Sequence, residues 1–199
     1  MLTLTKNQTL AAVIGTLFAV SAFAADPAPE IQRDVNQQQR IEQGLKSDEL
    51  NTREAARLEK GEARIDKMEQ KALSDGKLSP AEKARIERAQ NAESRTIYME
   101  KHDAQKGNPN SASSQRMQAD VHRNVNQEMR IEQGVQSGSL THKEAAKLEG
   151  GQVQVDRKEA RAGADGHIST AEQRRIQGAE NRQSKRIYHK KHNEKTAGK

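Results

Sequence analysis

The chain has 199 residues, of which 32% are hydrophobic, 31% are charged and 2% are aromatic. It contains no cysteine, which excludes disulfide bonds and thiolate chemistry. The formal net charge of +6 is a small excess in a chain with 34 basic and 28 acidic side chains, and it does not indicate nucleic acid as a partner. So little hydrophobic material allows only a thin, alanine-rich core, and stability must come from helix packing.

The first 24 residues have the pattern of a signal peptide. Lys6 precedes the apolar run 10–20, and Ala22 and Ala24 provide the small side chains of a signal-peptidase site. The run is shorter than the ~20 residues that span a bilayer, and no second apolar stretch follows it. We expect cleavage after Ala24 and a periplasmic or secreted mature chain without a transmembrane segment. The alternative is an uncleaved N-terminal anchor.

An internal duplication organises the rest of the chain. Residues 31–104 align without a gap with residues 121–194, at a constant offset of 90 positions. Gly, Pro, Asn and Ser are frequent between the two copies, which is typical of a flexible linker. The predicted organisation is a signal peptide 1–24, an extended N-terminal segment 25–30, helical repeat 1 over 31–104, a flexible linker 105–120, helical repeat 2 over 121–194 and a basic C-terminal tail 195–199.

Each copy predicts three helices, which in the first copy cover about 31–43, 52–72 and 79–102. In the middle helix Leu58, Ile65 and Ala72 recur every seven residues and form a narrow coiled-coil-like seam. Gly61 and Gly151 lie inside the middle helices and predict a kink or a close helix contact. The predicted fold class is all-α, with two tandem copies of a small module that combines a short helix with a long antiparallel helical hairpin.

Two loops that contain Asp-Gly, at 74–82 and 164–172, connect the long helices of each copy. Asp-Gly favours a turn with positive φ, and the Ser-x-x-Glu that follows can form a capping box at a helix start. The same spacing to a glutamate occurs at two earlier loops. Four helix starts are therefore predicted, with caps at Asn51, Ser79, Thr141 and Ser169.

The Asp-Gly loops also resemble the second half of an EF-hand calcium loop. With Gly166 as the sixth residue, Ile168 is the eighth and Glu172 the twelfth, as in that family. The resemblance is local and extends to no whole-chain family. It implies a calcium-like divalent cation with four candidate ligands, Asp75, Glu82, Asp165 and Glu172.

The first ligand position of the EF-hand pattern departs from the family. It is occupied by Arg161 in one loop and by Lys71 in the other, and a cation there repels calcium. An ion site would need Glu159 or Glu69 from the preceding helix to complete it. The alternative is that the loops only cap helices.

His189 and His192 are three residues apart on a predicted helix, which offers two nitrogen ligands to copper or zinc. The alternative is that both side chains are simply solvated. Beyond a divalent cation, no cofactor is expected. The basic end that continues to Lys199 is a candidate contact for an anionic envelope component, or it only complements a helix dipole.

The sequence has no nucleophile with a base, phosphate-binding glycine loop, zinc-helix motif or paired-carboxylate cleft. We therefore expect a non-enzymatic, exported helical-repeat protein that binds or scaffolds components of the bacterial cell envelope. The alternative is a periplasmic divalent-metal buffer or sensor that uses the Asp-Gly loops or the histidine pair. The expected partners are a protein, an anionic envelope component or a second copy of the chain, and not nucleic acid.

Overall fold

A computed structural model describes residues 25–195, and over this range it contains helices, turns and no strand, which confirms the all-α prediction. The predicted signal peptide and residues 196–199 of the predicted tail lie outside the described residues. None of the helices within 25–195 has the length and apolarity that crossing a bilayer requires. The α-helices are α1 Ala28–Lys46, α2 Thr52–Ala72, α3 Pro80–Lys101, α4 Ala112–Gln136, α5 His142–Ala162 and α6 Thr170–Lys191.

The four predicted capping boxes are confirmed at the starts of α2, α3, α5 and α6. In each box the cap side chain accepts from the backbone N–H three residues later, and the glutamate accepts from the backbone of the cap. Gly76 and Gly166 have φ values of 90° and 88°, as their Asp-Gly turns require. The loops therefore begin helices by a local mechanism.

Two helices begin earlier than the sequence predicts. α1 starts at Ala28, inside the predicted extended segment, because Asp26 Oδ1 accepts a hydrogen bond from the Ala28 N–H at 2.9 Å. α4 starts at Ala112 because the Ser111 side chain caps it, so residues 112–120 of the predicted linker are helical. In the remainder of that segment Gly107 N donates to Asp48 O at 2.7 Å, which ties the connection to the loop after α1.

Contacts within each half repeat at the offset of 90 residues. Arg40 Nη1 donates to Ser94 Oγ at 2.6 Å, and Arg130 Nη1 donates to Ser184 Oγ at 2.7 Å. These bonds hold α1 against α3 and α4 against α6. The same local packing therefore occurs twice.

The most extensive helix contacts join the two halves and pair α2 with α5 and α1 with α4. Arg53 at the start of α2 donates to Asp165 O beyond the end of α5 at 2.8 Å, while His142 Nδ1 at the start of α5 lies 3.1 Å from Gly76 O. Each helix start thus lies beside the end of its partner. The α2–α5 pair is antiparallel, and the halves form one helical body.

The hydrophobic core is divided into two clusters, and each mixes residues of both halves. One contains Ile31 and Leu78 together with Ile131 and Leu140, and the other contains Leu50 with Met117 and Ile176. The clusters occupy opposite ends of the α2–α5 pair. The middle of the pair, between the clusters, contains many buried polar side chains.

The α2–α5 contact depends on close backbone approach at Gly163. A Cβ there would lie 2.8 Å from Ala56 Cβ and 3.1 Å from Thr52 O. We expect Gly163→Ala to lower the free energy of unfolding by about 1–3 kcal/mol, because the crossing must open to admit the methyl group. This change in the free energy of unfolding is measured by urea unfolding, monitored by circular dichroism.

The matched control is Gly178→Ala on α6, where a Cβ would meet only Arg182 Nη1 at 3.5 Å. It should be neutral or stabilising by up to about 1 kcal/mol, through helix propensity alone. Equal effects of the two substitutions would contradict the close approach at Gly163.

Candidate functional site

Nine carboxyl side chains are buried together in the middle of the molecule, and none is more than 3% exposed. They come from α1, α2, α4 and α5, which surround the polar space between the two hydrophobic clusters. We call them the carboxylate cluster. Its members are Asp34, Glu59, Glu62, Asp66, Glu69, Glu128, Glu149, Asp156 and Glu159.

Helix periodicity places the acidic residues of α2 on one face. Steps of three, four and three residues separate Glu59, Glu62, Asp66 and Glu69, and such steps follow one side of a helix. On α5 the same steps separate the buried side chains at 149, 152, 156 and 159. The antiparallel pairing brings these two faces together.

Two groups of three carboxylates within the cluster converge closely. The Glu59 triad is Glu59, Asp156 and Glu159, and the Glu149 triad is Asp66, Glu128 and Glu149. In each triad one oxygen per residue lies within 4.8 Å of the others. Each triad combines side chains from both halves, so neither exists without the packing of one half on the other.

Only a few amide groups donate hydrogen bonds into the cluster. Gln38 Nε2 donates to Glu59 Oε2 at 3.0 Å, and Asn124 Nδ2 donates to Glu159 Oε2 at 2.8 Å. Gln90 Nε2 donates to Asp34 Oδ1 at 2.8 Å. Neutral amides orient the carboxylates but do not compensate their charge.

Several members of the site have no hydrogen-bond partner at all. Both carboxyl oxygens of Glu62 and of Glu149 are unpartnered, as are both amide atoms of Gln152, which is 1% exposed. Within residues 25–195, no ion pair includes a member of the carboxylate cluster. Glu180, a buried carboxylate outside the cluster, is by contrast paired with Arg123 at 2.6 Å.

Burial strongly perturbs the protonation of the cluster. Desolvation raises the pKa of Asp34 to about 7 and that of Glu59 to about 7. For Glu62, desolvation and then the charges of Asp34 and other carboxylates raise the pKa well above its usual value. A dry interior cannot hold nine negative charges, so the cluster must contain protons or cations.

The two halves contribute unequal charge to the cluster. The positions equivalent to Asp34 and Gln38 are Asn124 and Glu128. Two neutral amides, Gln38 and Asn124, therefore lie beside the Glu59 triad. The acidic residues at the equivalent positions, Glu128 and Asp34, lie on the side of the Glu149 triad. The duplicated arrangement of helices therefore contains two triads with chemically different surroundings.

A third group of carboxylates, Glu54, Glu100 and Asp103, lies at the start of α2. Glu54 caps its own helix there, and Asp103 is exposed. In the second half Lys190 stands in the place of Glu100 and lies 3.5 Å from the Glu144 carboxylate. This group is less enclosed than the carboxylate cluster.

The four loop carboxylates predicted from the EF-hand resemblance bind their own backbone. Asp75 and Asp165 accept from the N–H two residues later, at 2.9 and 2.8 Å, and Glu82 and Glu172 complete capping boxes. None of the four belongs to a group of converging ligands within the described residues. Glu159, which the sequence suggested would complete a loop, contributes instead to the Glu59 triad.

The predicted histidine pair is exposed at the end of α6. His192 stacks on Tyr188 with ring centroids 4.2 Å apart, while the His189 ring meets the edge of the same tyrosine. Neither histidine belongs to a converging ligand group in the part of the chain that the structure describes. Both imidazole rings therefore contact Tyr188.

Sequence reasoning missed the carboxylate cluster because acidic residues on a helix are usually solvated. A signal was present, however, in the separation of charge along α2. Its basic residues, including Arg57 and Arg64, follow one face, and the acidic steps from Glu59 to Glu69 follow another. A solvated helix more often places opposite charges three or four residues apart as pairs.

Comparison of the chain with models of protein families, with curated proteins and with solved structures finds no match. Function is therefore inferred from the side chains of the site and their surroundings.

The cluster predicts an unusual pH dependence of stability in the presence of a chelator. The pKa values of Asp34 and Glu59 rise from 3.8 and 4.5 to about 7, and burial raises that of Asp120, a buried residue of α4 outside the cluster, to about 8. Since these folded-state values exceed the unfolded ones, the stabilisation is complete below about pH 4 and is lost as the pH rises through 7 to 8.

We therefore expect the free energy of unfolding without cations to decrease steadily from about pH 4 to pH 8. Urea unfolding in a chelator, at a series of pH values, measures the slope. A stability that rises over this interval would show that the carboxylates are ionised and stabilised in the metal-free protein.

Proposed function

We propose that this protein binds hard multivalent cations in its buried carboxylate cluster and acts as a metal buffer or sensor. One observation carries the proposal: nine buried carboxylates share a space in which no basic side chain of residues 25–195 is bonded to them. Glu62 and Glu149 lack any partner for either carboxyl oxygen. A bound cation supplies the missing partner and offsets the repulsion between the carboxylates.

The ligand set favours hard cations over copper or zinc. Side chains around the two triads offer carboxylate and amide oxygens, which suit Ca²⁺ with its ~6 to 8 oxygen ligands. The six histidines are half-buried or exposed and lie outside the cluster. A dense group of nine carboxylates also favours high charge, so a trivalent ion such as a lanthanide should bind more tightly than Ca²⁺.

We infer that the duplication of the helical module provides two cation sites, one at each triad. Each triad takes ligands from both α2 and α5, and the Glu149 triad also takes one from α4, so binding holds the halves together. The oxygens of the amides Gln38 and Asn124, which are buried and unpartnered, are further ligands for an ion at the Glu59 triad. At the Glu149 triad the further ligand is the amide oxygen of Gln152, which is also buried and unpartnered.

We infer that cations enter the cluster past Glu93 on α3. Its carboxylate lies where a Cβ of Gly61 would be, at 2.2 Å, so the glycine admits it to the side of α2. The residue is only half-buried, and its charge acts on Glu59 and Glu62. A partly exposed carboxylate beside buried ones can pass a cation inward.

The direct test is titration of the chelator-treated full chain with Ca²⁺ and with Tb³⁺ at pH 7, by calorimetry and thermal unfolding. We expect saturable binding and a raised melting temperature, because a ligand at 100 times its Kd stabilises by about 2.7 kcal/mol. Glu59→Gln should weaken binding at least about tenfold, since it removes a charged ligand. The same variant should stabilise the metal-free protein by removing a buried charge.

Glu172→Gln is the matched control, because it makes the same chemical change in a capping carboxylate of the Asp-Gly loop. It should leave cation affinity within about twofold of the wild type. Loss of binding with Glu172→Gln and not with Glu59→Gln would transfer the site to the loop. No binding of either ion at millimolar concentration would eliminate the proposed function.

The unequal charge of the two halves gives a second prediction. Glu128→Gln reproduces at the Glu149 triad the amide that Gln38 provides beside Glu59. We expect it to weaken one of two Tb³⁺ binding steps at least about tenfold and to leave the other unchanged. The reverse variant, Gln38→Glu, should strengthen the other step. Terbium luminescence titration resolves the steps, and a common change in both would argue against two separate sites.

A binding or scaffolding function is the second candidate. It is favoured by Tyr98 and Tyr188, which are 58% and 55% exposed at equivalent positions near the ends of α3 and α6. Exposed aromatic side chains of this kind are frequent at protein interfaces. Absence of cation binding in the titration above would leave this function as the better supported one.

A further inference from the structure

A groove of about 630 Å³ runs along the outer face of the α2–α5 pair, on the side opposite the carboxylate cluster. Its lining consists of six basic residues and four alanines, without an acidic or an aromatic side chain. The alanines keep the floor open, and the long basic side chains form the walls. The basic residues are Arg53, Arg57, Lys60, Arg64, Arg157 and Arg161.

These basic side chains are not neutralised by the protein. Within residues 25–195, none of the six forms an ion pair, although the chain has 28 acidic residues. Five of them are exposed, and Arg157 is half-buried. The Arg53 side chain makes a single hydrogen bond, to the backbone oxygen of Asp165. Their charge is therefore free to act on an anion in the groove.

The two halves carry different basic residues at equivalent positions, so this groove differs from a uniformly basic surface. The positions equivalent to Arg53 and Arg57 are Lys143 and Lys147, and those equivalent to Arg157 and Arg161 are Lys67 and Lys71. Arginine is thus concentrated at one end of the helix pair, and the other end carries lysine. Arginine differs from lysine in its planar, bidentate binding of phosphate oxygens.

The central positions of the groove also differ between the halves. Lys60 and Arg64 correspond to Gly150 and Gln154. The space beside Gly150 is occupied by the Gln70 side chain, which a Cβ there would approach to 2.4 Å. The equivalent end of the pair therefore has fewer cations and less open space.

We propose that this groove, the arginine groove, binds a compact anion that carries two or more phosphate groups. Cations on both walls fit an anion that enters between the helices, whereas a flat bilayer surface would reach only the outer side chains. Single-stranded nucleic acid would require aromatic side chains for base stacking, and the groove has none. The proposed cation sites use other side chains of α2 and α5, on the opposite face of α2, although the charge of Arg64 also acts on Glu93 beside the cluster.

The test is calorimetric titration of the full chain with inorganic tripolyphosphate, in buffer free of multivalent cations and at low ionic strength. We expect saturable binding that weakens as salt is added. The double variant Arg57→Glu/Arg161→Glu should weaken it at least about tenfold, because two bidentate partners become repulsive. Both residues are exposed, and unchanged far-UV circular dichroism verifies folding.

The matched control is Lys147→Glu/Lys71→Glu, which makes the same change in charge at the equivalent positions of the same helices. It should leave the affinity for tripolyphosphate within about threefold of the wild type, since only long-range attraction is lost. An equal loss in both double variants would overturn the proposal, because it would show diffuse charge rather than a site.

Two further outcomes would also overturn the proposal. One is the absence of tripolyphosphate binding by the wild type at millimolar concentration. The other is binding to phosphatidylglycerol vesicles without binding to tripolyphosphate, which would assign the face to a membrane surface. Neither outcome bears on the cation sites, whose test uses different ligands and different variants.

Discussion

The burial of like charges is the constraint on which this structure depends. Nine carboxylates occupy the middle of the molecule, and the hydrophobic core is divided between its two ends. Desolvation and mutual repulsion oppose this arrangement at neutral pH, because no basic side chain in the described part of the chain pairs with it. The thin hydrophobic core has little stability with which to offset that cost. Occupancy of the cluster by protons or cations is therefore part of what holds the helices together.

Charge separation along α2 and α5 links the interior to the surface. The acidic residues of both helices point toward the packed middle, and the arginines of the groove lie on the outer face. The modest net charge of +6 does not reveal this separation, because it is a sum over the basic outer face and the acidic interior. One helix pair thus supports both proposed sites, which would take ions of opposite charge.

The duplication supplies one geometry twice, and substitutions then make the two ends different. In the interior, Asp34 corresponds to Asn124, which changes the charge available to a bound cation. On the outer face, Arg57 corresponds to Lys147, which changes the way an anion can be held. Equivalent backbone positions therefore carry different chemistry, and each end of the α2–α5 pair has its own character.

The sequence by itself determined the local structure, because helix periodicity and capping depend on residues a few positions apart. It predicted both ends of α2 and the four capping boxes, but it placed the starts of α1 and α4 too late, because both starts lie before the duplicated residues on which the helix prediction rested. Only the tertiary structure decided that the halves pair antiparallel and that Glu59 and Asp156 meet. A glutamate beside a helical seam can face water or the interior. Which of the two occurs depends on the helices that pack over it.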